Sequence, residues 1–352
     1  MNRKKTKTVY AGTLGIGGMQ PVSIQSMTNT DTRDILATVN QIQDLQMAGC
    51  HLVRVAVPDE EAATAIKTIK SQIDIPLAAD IHFDYRLAIK AVKMGADKLR
   101  INPGNIGEFS RLKKIARVCQ EYNVPIRIGV NGGSLEKKWL EKYDGPTADA
   151  LVESCMESVQ RLEDIDFTNL VLSIKSSHLT TMICAYRSIS EKVSYPLHIG
   201  VTEAGTVDMG TVKSAIGIGS LLIDGIGDTL RVSLTGSPVQ EIKVGQQILT
   251  SVGLLRNQVQ IISCPTCGRC QIDLVYLAEE IEKAVEKIQQ PITVAVMGCA
   301  VNGPGEAREA DLGIAGGKES ALLFKNGKII RKLKEDEIIP ALLNEIRKLD
   351  PL

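Results

Sequence analysis

Ala96-Asp97-Lys98-Leu99-Arg100-Ile101-Asn102 reads as one short strand, and Glu108 to Tyr122 behind it as an amphipathic helix. The same rhythm extends in both directions. It predicts strands at Pro21 to Met27, His51 to Val57, Pro76 to His82, Ala96 to Asn102, Pro125 to Asn131, Asn169 to Lys175, Pro196 to Glu203 and Asp228 to Thr235. A helical pattern follows each, such as Asp34 to Ala48. Eight βα units in succession predict an α/β fold, a closed (β/α)8 TIM-type barrel. An open doubly wound sheet usually has fewer units and a Gly-rich dinucleotide turn. Gly15-x-Gly17-Gly18 and Gly217-x-Gly219 lack that spacing and read as ordinary turns. Ahead of the barrel, Thr8 to Tyr10 and Thr13 to Ile16 predict a short hairpin.

The rhythm breaks after a last barrel helix, Val239 to Thr250. A strand from Gln258, a cysteine turn, a helix over Ile272 to Ile288 and a strand over Pro291 to Met297 follow. Asp311 to Ala315, Ser320 to Phe324 and Lys328 to Leu333 add strands, the last two joined at Asn326-Gly327, a hairpin-turn signal. A helix over Asp336 to Lys348 closes the chain. The expected domains are a barrel over 1–250 and a smaller α+β domain over 258–352.

Composition narrows the function. The 352 residues carry equal numbers of acidic and basic side chains, so the net charge is zero. Nucleic-acid and membrane-surface binders show a basic excess. Aromatics are only 3%, which disfavours base-stacking platforms. No apolar run is long enough to span a bilayer, and no signal-peptide core follows the basic start. A cytoplasmic protein with neither nucleic-acid nor membrane partner is expected. There Cys50, Cys119, Cys155 and Cys184 read as buried thiols.

Barrel chemistry sits at the C-terminal ends of the strands. Arg54 lies in the second strand. By the period-two rule Arg100 and Asn102 share a face of the fourth, Arg127, Gly129 and Asn131 of the fifth, Ser173 and Lys175 of the sixth, and Arg231 and Ser233 of the eighth. Five cations thus aim at one mouth, although unpaired buried charge is costly and like charges repel. A polyanionic ligand accounts for them, and two linked phosphates fit the forks and hydroxyls better than one. Any single arginine has a structural alternative, pairing with Asp80 or Glu203. Glu203 follows Thr202 at the seventh strand end. His82 and His198 read as loop-holding side chains. Lys175 has a rival reading, the Schiff-base lysine of an aldolase.

Half of the eight cysteines cluster in Ser263-Cys264-Pro265-Thr266-Cys267-Gly268-Arg269-Cys270, answered by Met297-Gly298-Cys299-Ala300-Val301-Asn302-Gly303-Pro304-Gly305-Glu306. Thiolates select zinc or iron–sulfur clusters. Structural zinc would close on Cys264, Cys267, Cys270 and Cys299. A catalytic cluster wants one replaceable ligand, and Glu306 is the candidate.

These two motifs, with Gln25-Ser26-Met27-Thr28-Asn29-Thr30 and Arg100-Ile101-Asn102-Pro103-Gly104-Asn105-Ile106-Gly107, resemble the 4-hydroxy-3-methylbut-2-en-1-yl diphosphate synthases of the non-mevalonate isoprenoid pathway. The resemblance spans essentially the whole chain. It implies a 4Fe–4S cluster on Cys264, Cys267, Cys299 and Glu306, with Cys270 a bystander. It names the substrate, 2-C-methyl-D-erythritol 2,4-cyclodiphosphate, which is opened, dehydrated and reduced by two electrons. Ferredoxin or flavodoxin is the expected donor, because no flavin or nicotinamide motif is present. Glu203 is the expected proton donor, and Glu306 the ligand that makes way for substrate. The alternative remains a Schiff-base aldolase on Lys175 with a structural zinc domain.

Chain length bears on assembly. The chain leaves the eighth strand at the mouth and descends a helix of about twelve residues, roughly 18 Å. Ser251 to Gln258 then spans at most roughly 28 Å. Folding the small domain back over its own mouth strains that connection. A head-to-tail homodimer, each small domain capping its partner's barrel, does not, and the resemblance implies the same arrangement.

Overall fold

The structure is a computed structural model that describes residues 2–256, 258–286, 288, 290–299, 310–318 and 320–349. Its chain divides into two units, Met1–Leu254 and Leu255–Leu352.

In the first unit a hairpin, β1 (Val9–Ala11) and β2 (Leu14–Ile16), precedes eight barrel strands. These are β3 (Ser23–Met27), β4 (Leu52–Ala56), β5 (Leu77–Ile81), β6 (Lys98–Ile101), β7 (Ile126–Asn131), β8 (Leu170–Lys175), β9 (His198–Ile199) and β10 (Thr229–Leu230). They hydrogen-bond in the order β8-β7-β6-β5-β4-β3-β10-β9. A parallel bridge between Leu172 and Leu197 joins the two ends, Leu172 N donating to Pro196 O at 2.9 Å. The circle is thereby closed.

Outward side chains such as Leu99, Ile101, Ile126 and Ile128 are fully buried under the helices. The helix Phe109–Glu121 shows the matching stripe, burying Leu112, Ile115, Ala116 and Cys119. Helix starts are fixed by side-chain caps, with Asp34, Asp59, Asp84 and Thr147 each accepting from a first-turn amide. The hairpin covers the N-terminal end of the barrel, where Ala11 and Ile16 pack on Leu52 and Ala78.

The seventh and eighth strands are shorter than their sequence predicts. Only His198–Ile199 and Thr229–Leu230 form ladders. At Gly200 the neighbouring backbone is so close that a Cβ would meet Arg231 O at 2.4 Å. Three residues on, Glu203 takes a left-handed φ of 53°, which ends the extended run. Thr202, Glu203, Arg231 and Ser233 therefore sit on loops beyond the ladder.

The second unit is a five-stranded sheet, β11 (Gln260–Ser263), β12 (Thr293–Met297), β13 (Leu312–Gly317), β14 (Ser320–Lys325) and β15 (Lys328–Leu333), in sequence order. The first three run parallel and the last three antiparallel. Asn326 and Gly327 both take positive φ, 48° and 73°, as a two-residue hairpin turn requires. Period-two alternation splits the sheet. Val294, Val296, Leu312, Ile314 and Leu323 face the helices Leu274–Val285 and Ile338–Lys348. Ala295, Met297, Ala315 and Phe324 lie on the opposite face, with Cys264 against them. Among the described residues no helix is long and apolar enough to cross a membrane.

Candidate active site

The mouth of the barrel is organised by Asp80. Its carboxylate lies 3.1 Å from Arg100 Nη1, 3.5 Å from Arg54 Nε and 3.5 Å from His82 Nε2. Burial alone would raise this carboxyl, but Arg54, the His82 hydrogen bond, Arg100 and Arg127 hold it far below its ordinary value. The β6–β7 register sets Arg100 beside Arg127. Gly129 leaves room for the Arg100 side chain, whose Nε lies 3.1 Å from where a Cβ would sit. Asn131, with its amide oriented to suit its neighbours, accepts from Arg100 Nη2 at 3.2 Å. Asn102 is buried at the start of the helix Pro103–Ile106, where it caps Gly104 N and donates to Ser134 Oγ at 2.6 Å. Ser173 is fully buried, 3.5 Å from the Tyr186 hydroxyl.

Arg231 finds a different acid, Glu241, at 3.7 Å. Glu241 also accepts from Leu234 N and Ser26 Oγ, and burial raises its carboxyl against the pull of Arg231. Two carboxylates thus face five cations: Arg54, Arg100, Arg127, Lys175 and Arg231. Burial, reinforced by the surrounding arginines, pushes the Lys175 ammonium well below its usual value. Arginine keeps its proton in proteins, so at Arg127 the same forces become a demand for a counter-anion. None of its three guanidinium nitrogens has a partner among the described residues, although only 1% of the residue is exposed.

The polar set runs deeper than its sequence reading. Lys98 sits two residues before Arg100 on the same face of β6, fully buried and without a partner among the described residues. Burial and then Arg127 push its ammonium well below the ordinary value. His198 corrects an expectation: it holds no loop. It is fully buried in β9, and both ring nitrogens lack a partner among the described residues. Gln25, Ser23 and Thr229 add further buried polar atoms without a partner among the described residues. Period two could have found Lys98. Glu241, on the helix Pro238–Ser251, gave no sequence signal. The pairing of Glu203 with an arginine, weighed from sequence, does not occur among the described residues; Glu203 is exposed.

In the second unit, Cys264 leaves the end of β11, and Cys299 leaves β12 beside it in parallel register. Gly298 N donates to Cys264 Sγ at 3.2 Å. Such amide bonds stabilise thiolates that ligate iron. Cys267 is exposed, and the backbone and side chain of Arg269 lower its thiol. Cys270 N donates to Cys267 O at 2.9 Å, closing the turn. The Cys270 sulfur lies against Gly298, the residue whose amide also meets Cys264. The Cys270 thiol donates to Ile272 O at 3.3 Å and packs with the helix-side core. A Cβ on residue 298 would fall 2.5 Å from that sulfur, so glycine is required there. Among the described residues, these four cysteines included, no group of three His, Cys, Asp or Glu side chains is placed to hold a metal ion. Glu306 lies outside the described residues.

A closed (β/α)8 barrel with a cationic mouth, followed by an α+β unit with thiols at its parallel strand ends, defines a two-domain barrel enzyme for an anionic substrate. The chain belongs to the GcpE family: the GcpE TIM-barrel domain matches residues 6–246, and the GcpE protein C-terminal domain matches residues 260–348. A Clostridium perfringens protein called 4-hydroxy-3-methylbut-2-en-1-yl diphosphate synthase (flavodoxin) is 58% identical over 99% of this chain and 100% of its own length. Proteins of the same name from Ruminiclostridium cellulolyticum (99% of each chain) and Geobacillus kaustophilus (99% of this chain, 93% of that one) are 56% and 55% identical. Among solved structures, Yersinia pestis dihydropteroate synthase superposes with a TM-score of 0.53 at 13% identity, covering 70% of this chain and 96% of that one. That likeness shows the barrel fold alone.

Proposed function

We infer that this chain makes 4-hydroxy-3-methylbut-2-en-1-yl diphosphate by reductive opening and dehydration of 2-C-methyl-D-erythritol 2,4-cyclodiphosphate, with flavodoxin as electron donor. One structural observation carries the reading: five mouth cations with two carboxylates between them, and Arg127 unpaired. That imbalance fits a diphosphate. The Schiff-base alternative on Lys175 is not favoured, because the full-length relatives bear the synthase name.

In this reading Arg54, Arg100, Arg127, Lys175 and Arg231 hold the diphosphate, with Asn102, Asn131, Ser173, Thr202 and Ser233 completing the hydrogen bonds. Asp80 keeps Arg54 and Arg100 in place before the ligand arrives. The fixed cations stabilise the negative charge that appears on oxygen as the ring C–O bond breaks. Glu203, exposed on its loop, gives a proton to the departing hydroxyl. Cys264, Cys267, Cys299 and Glu306 would hold a 4Fe–4S cluster, which when bound would relay the donor's two electrons one at a time. The barrel over 1–250 binds substrate and the domain over 258–352 carries the cluster. A homodimer with shared sites accounts for the short connection. An exposed apolar stripe on the helix Val207–Ile223, Met209, Val212 and Ile216, supports a second copy of the chain as partner.

The test is anaerobic conversion of the cyclodiphosphate with reduced flavodoxin, followed by phosphorus NMR. Appearance of the linear diphosphate supports the reading. Unchanged substrate in the presence of a loaded cluster and an active donor contradicts it.

A further inference from the structure

The outer edge of the second unit carries a feature that neither the mouth nor the thiols use. Among the described residues, the strand β15 pairs only with β14. Its residues Lys328 to Lys332 are all exposed, in a run from Lys325 to Lys334 that contains five basic side chains and no acidic one. Lys328 and Lys332 have no ion-pair partner among the described residues.

Edge strands are often blunted with lysines and bulges against unwanted pairing. Here the ladder slips at Leu323/Phe324, where Leu323 pairs with Arg331 and Phe324 with Ile329. The bulge leaves Ile330 unpaired. Edge protection accounts for the lysines and for the bulge. It does not account for two adjacent isoleucines, Ile329 at 63% and Ile330 at 45% exposure, at the centre of the basic run. A small apolar centre inside a charged rim is the make-up of an interface, and electron-transfer encounters are among the smallest.

Position favours the same use. Across the sheet, Met297 pairs with Ala315, Ala315 with Leu322, and Leu322 with Lys332. That row begins two residues before Cys299 and crosses three strand spacings, about 14 Å. Electron tunnelling falls off exponentially with distance, so a protein donor must dock close to the thiols. The flavodoxin of the relatives' name carries flavin mononucleotide, whose phosphate and reduced flavin are anionic.

We propose that the edge formed by Lys328, Ile329, Ile330, Arg331 and Lys332 is the docking surface for the reduced electron carrier, a protein with an acidic face around its cofactor. The proposal rests on the functional reading above and adds the carrier's site to it.

The test compares the intact chain with a triple variant, Lys328→Glu, Arg331→Glu and Lys332→Glu, and separately with Ile329→Ser plus Ile330→Ser. Binding of oxidised flavodoxin to the cluster-loaded protein is measured by titration at low and at moderate salt. Turnover is measured with flavodoxin and with a small chemical reductant. The proposal expects flavodoxin binding at least about tenfold weaker in the charge variant, with its salt dependence largely lost, because rim charges set association. Turnover with the chemical reductant should be unchanged. If the triple variant does not fold, Lys328→Ala plus Lys332→Ala carries the same comparison at smaller amplitude. Flavodoxin affinity and salt dependence equal to the parent's in folded variants would overturn the docking surface. Absence of turnover with either reductant in the parent would overturn the functional reading instead, while the binding comparison still decides the docking site.

Discussion

Lys175 and Lys98 are lysines placed where a charge is poorly tolerated. Both ammonium groups are pushed down by burial first and by neighbouring arginines second. An unfolded lysine titrates near 10.4, so between the lowered folded values and about 10.4 the unfolded chain binds more protons. Stability should therefore rise with pH across that window and fall as pH drops through the folded values. Thermal melts of the ligand-free protein over the alkaline range check this. A diphosphate favours the charged lysines, so added pyrophosphate should raise the melting temperature most toward the lower end of the same window. A pyrophosphate effect independent of pH would argue against titrating lysines at the mouth. In the proposed reading Arg100 is one of the diphosphate contacts. Arg100→Ala should weaken diphosphate binding by about ten- to a hundredfold, the value of roughly 1.5–3 kcal/mol for a charge-assisted bond. Isothermal titration with substrate reads it directly, and unchanged affinity would remove Arg100 from the site.

At the scale of elements, the strands set the cations by register and glycine makes space between them. Gly129→Ala puts a methyl 3.1 Å from Arg100 Nε. The arginine must shift, so anion affinity should drop several-fold while the fold persists. Circular dichroism with pyrophosphate titration separates these effects. The barrel units were legible because strand and helix periods alternate cleanly, and Arg100 and Arg127 were legible because inward positions are seldom charged. The ends of β9 and β10 were not. Gly200 lets Arg231 O approach, and Glu203 turns left-handed. Neither event leaves a period in the sequence. Glu241 was also hidden, because an acid in the first turn of a helix usually serves the helix dipole. Cys270 shows the same limit. Its spacing from Cys267 equals that of Cys267 from Cys264, and its bond to Ile272 O and its packing against Gly298 leave no mark in that spacing.

For the whole molecule, the proposed reading requires a cluster held by one unit to reach a substrate held by the other. The homodimer reading predicts complementation. A Cys267→Ala chain mixed with an Arg100→Ala chain, under proven subunit exchange, should recover activity, because one site of the mixed dimer joins an intact barrel to intact thiols. No recovery would place each site within one chain. The proposed function needs an iron–sulfur cluster, which the reading assigns to three cysteines and Glu306. The most direct measurement is the iron, zinc and acid-labile sulfide content of protein purified without oxygen, for the parent, Cys264→Ala, Glu306→Ala and Cys270→Ala. Iron with matching sulfide in the parent and in Cys270→Ala, lost in Cys264→Ala and diminished in Glu306→Ala, is the predicted result. Zinc without sulfide in the parent, or full loss of metal in Cys270→Ala beside a fully loaded Glu306→Ala, would contradict it.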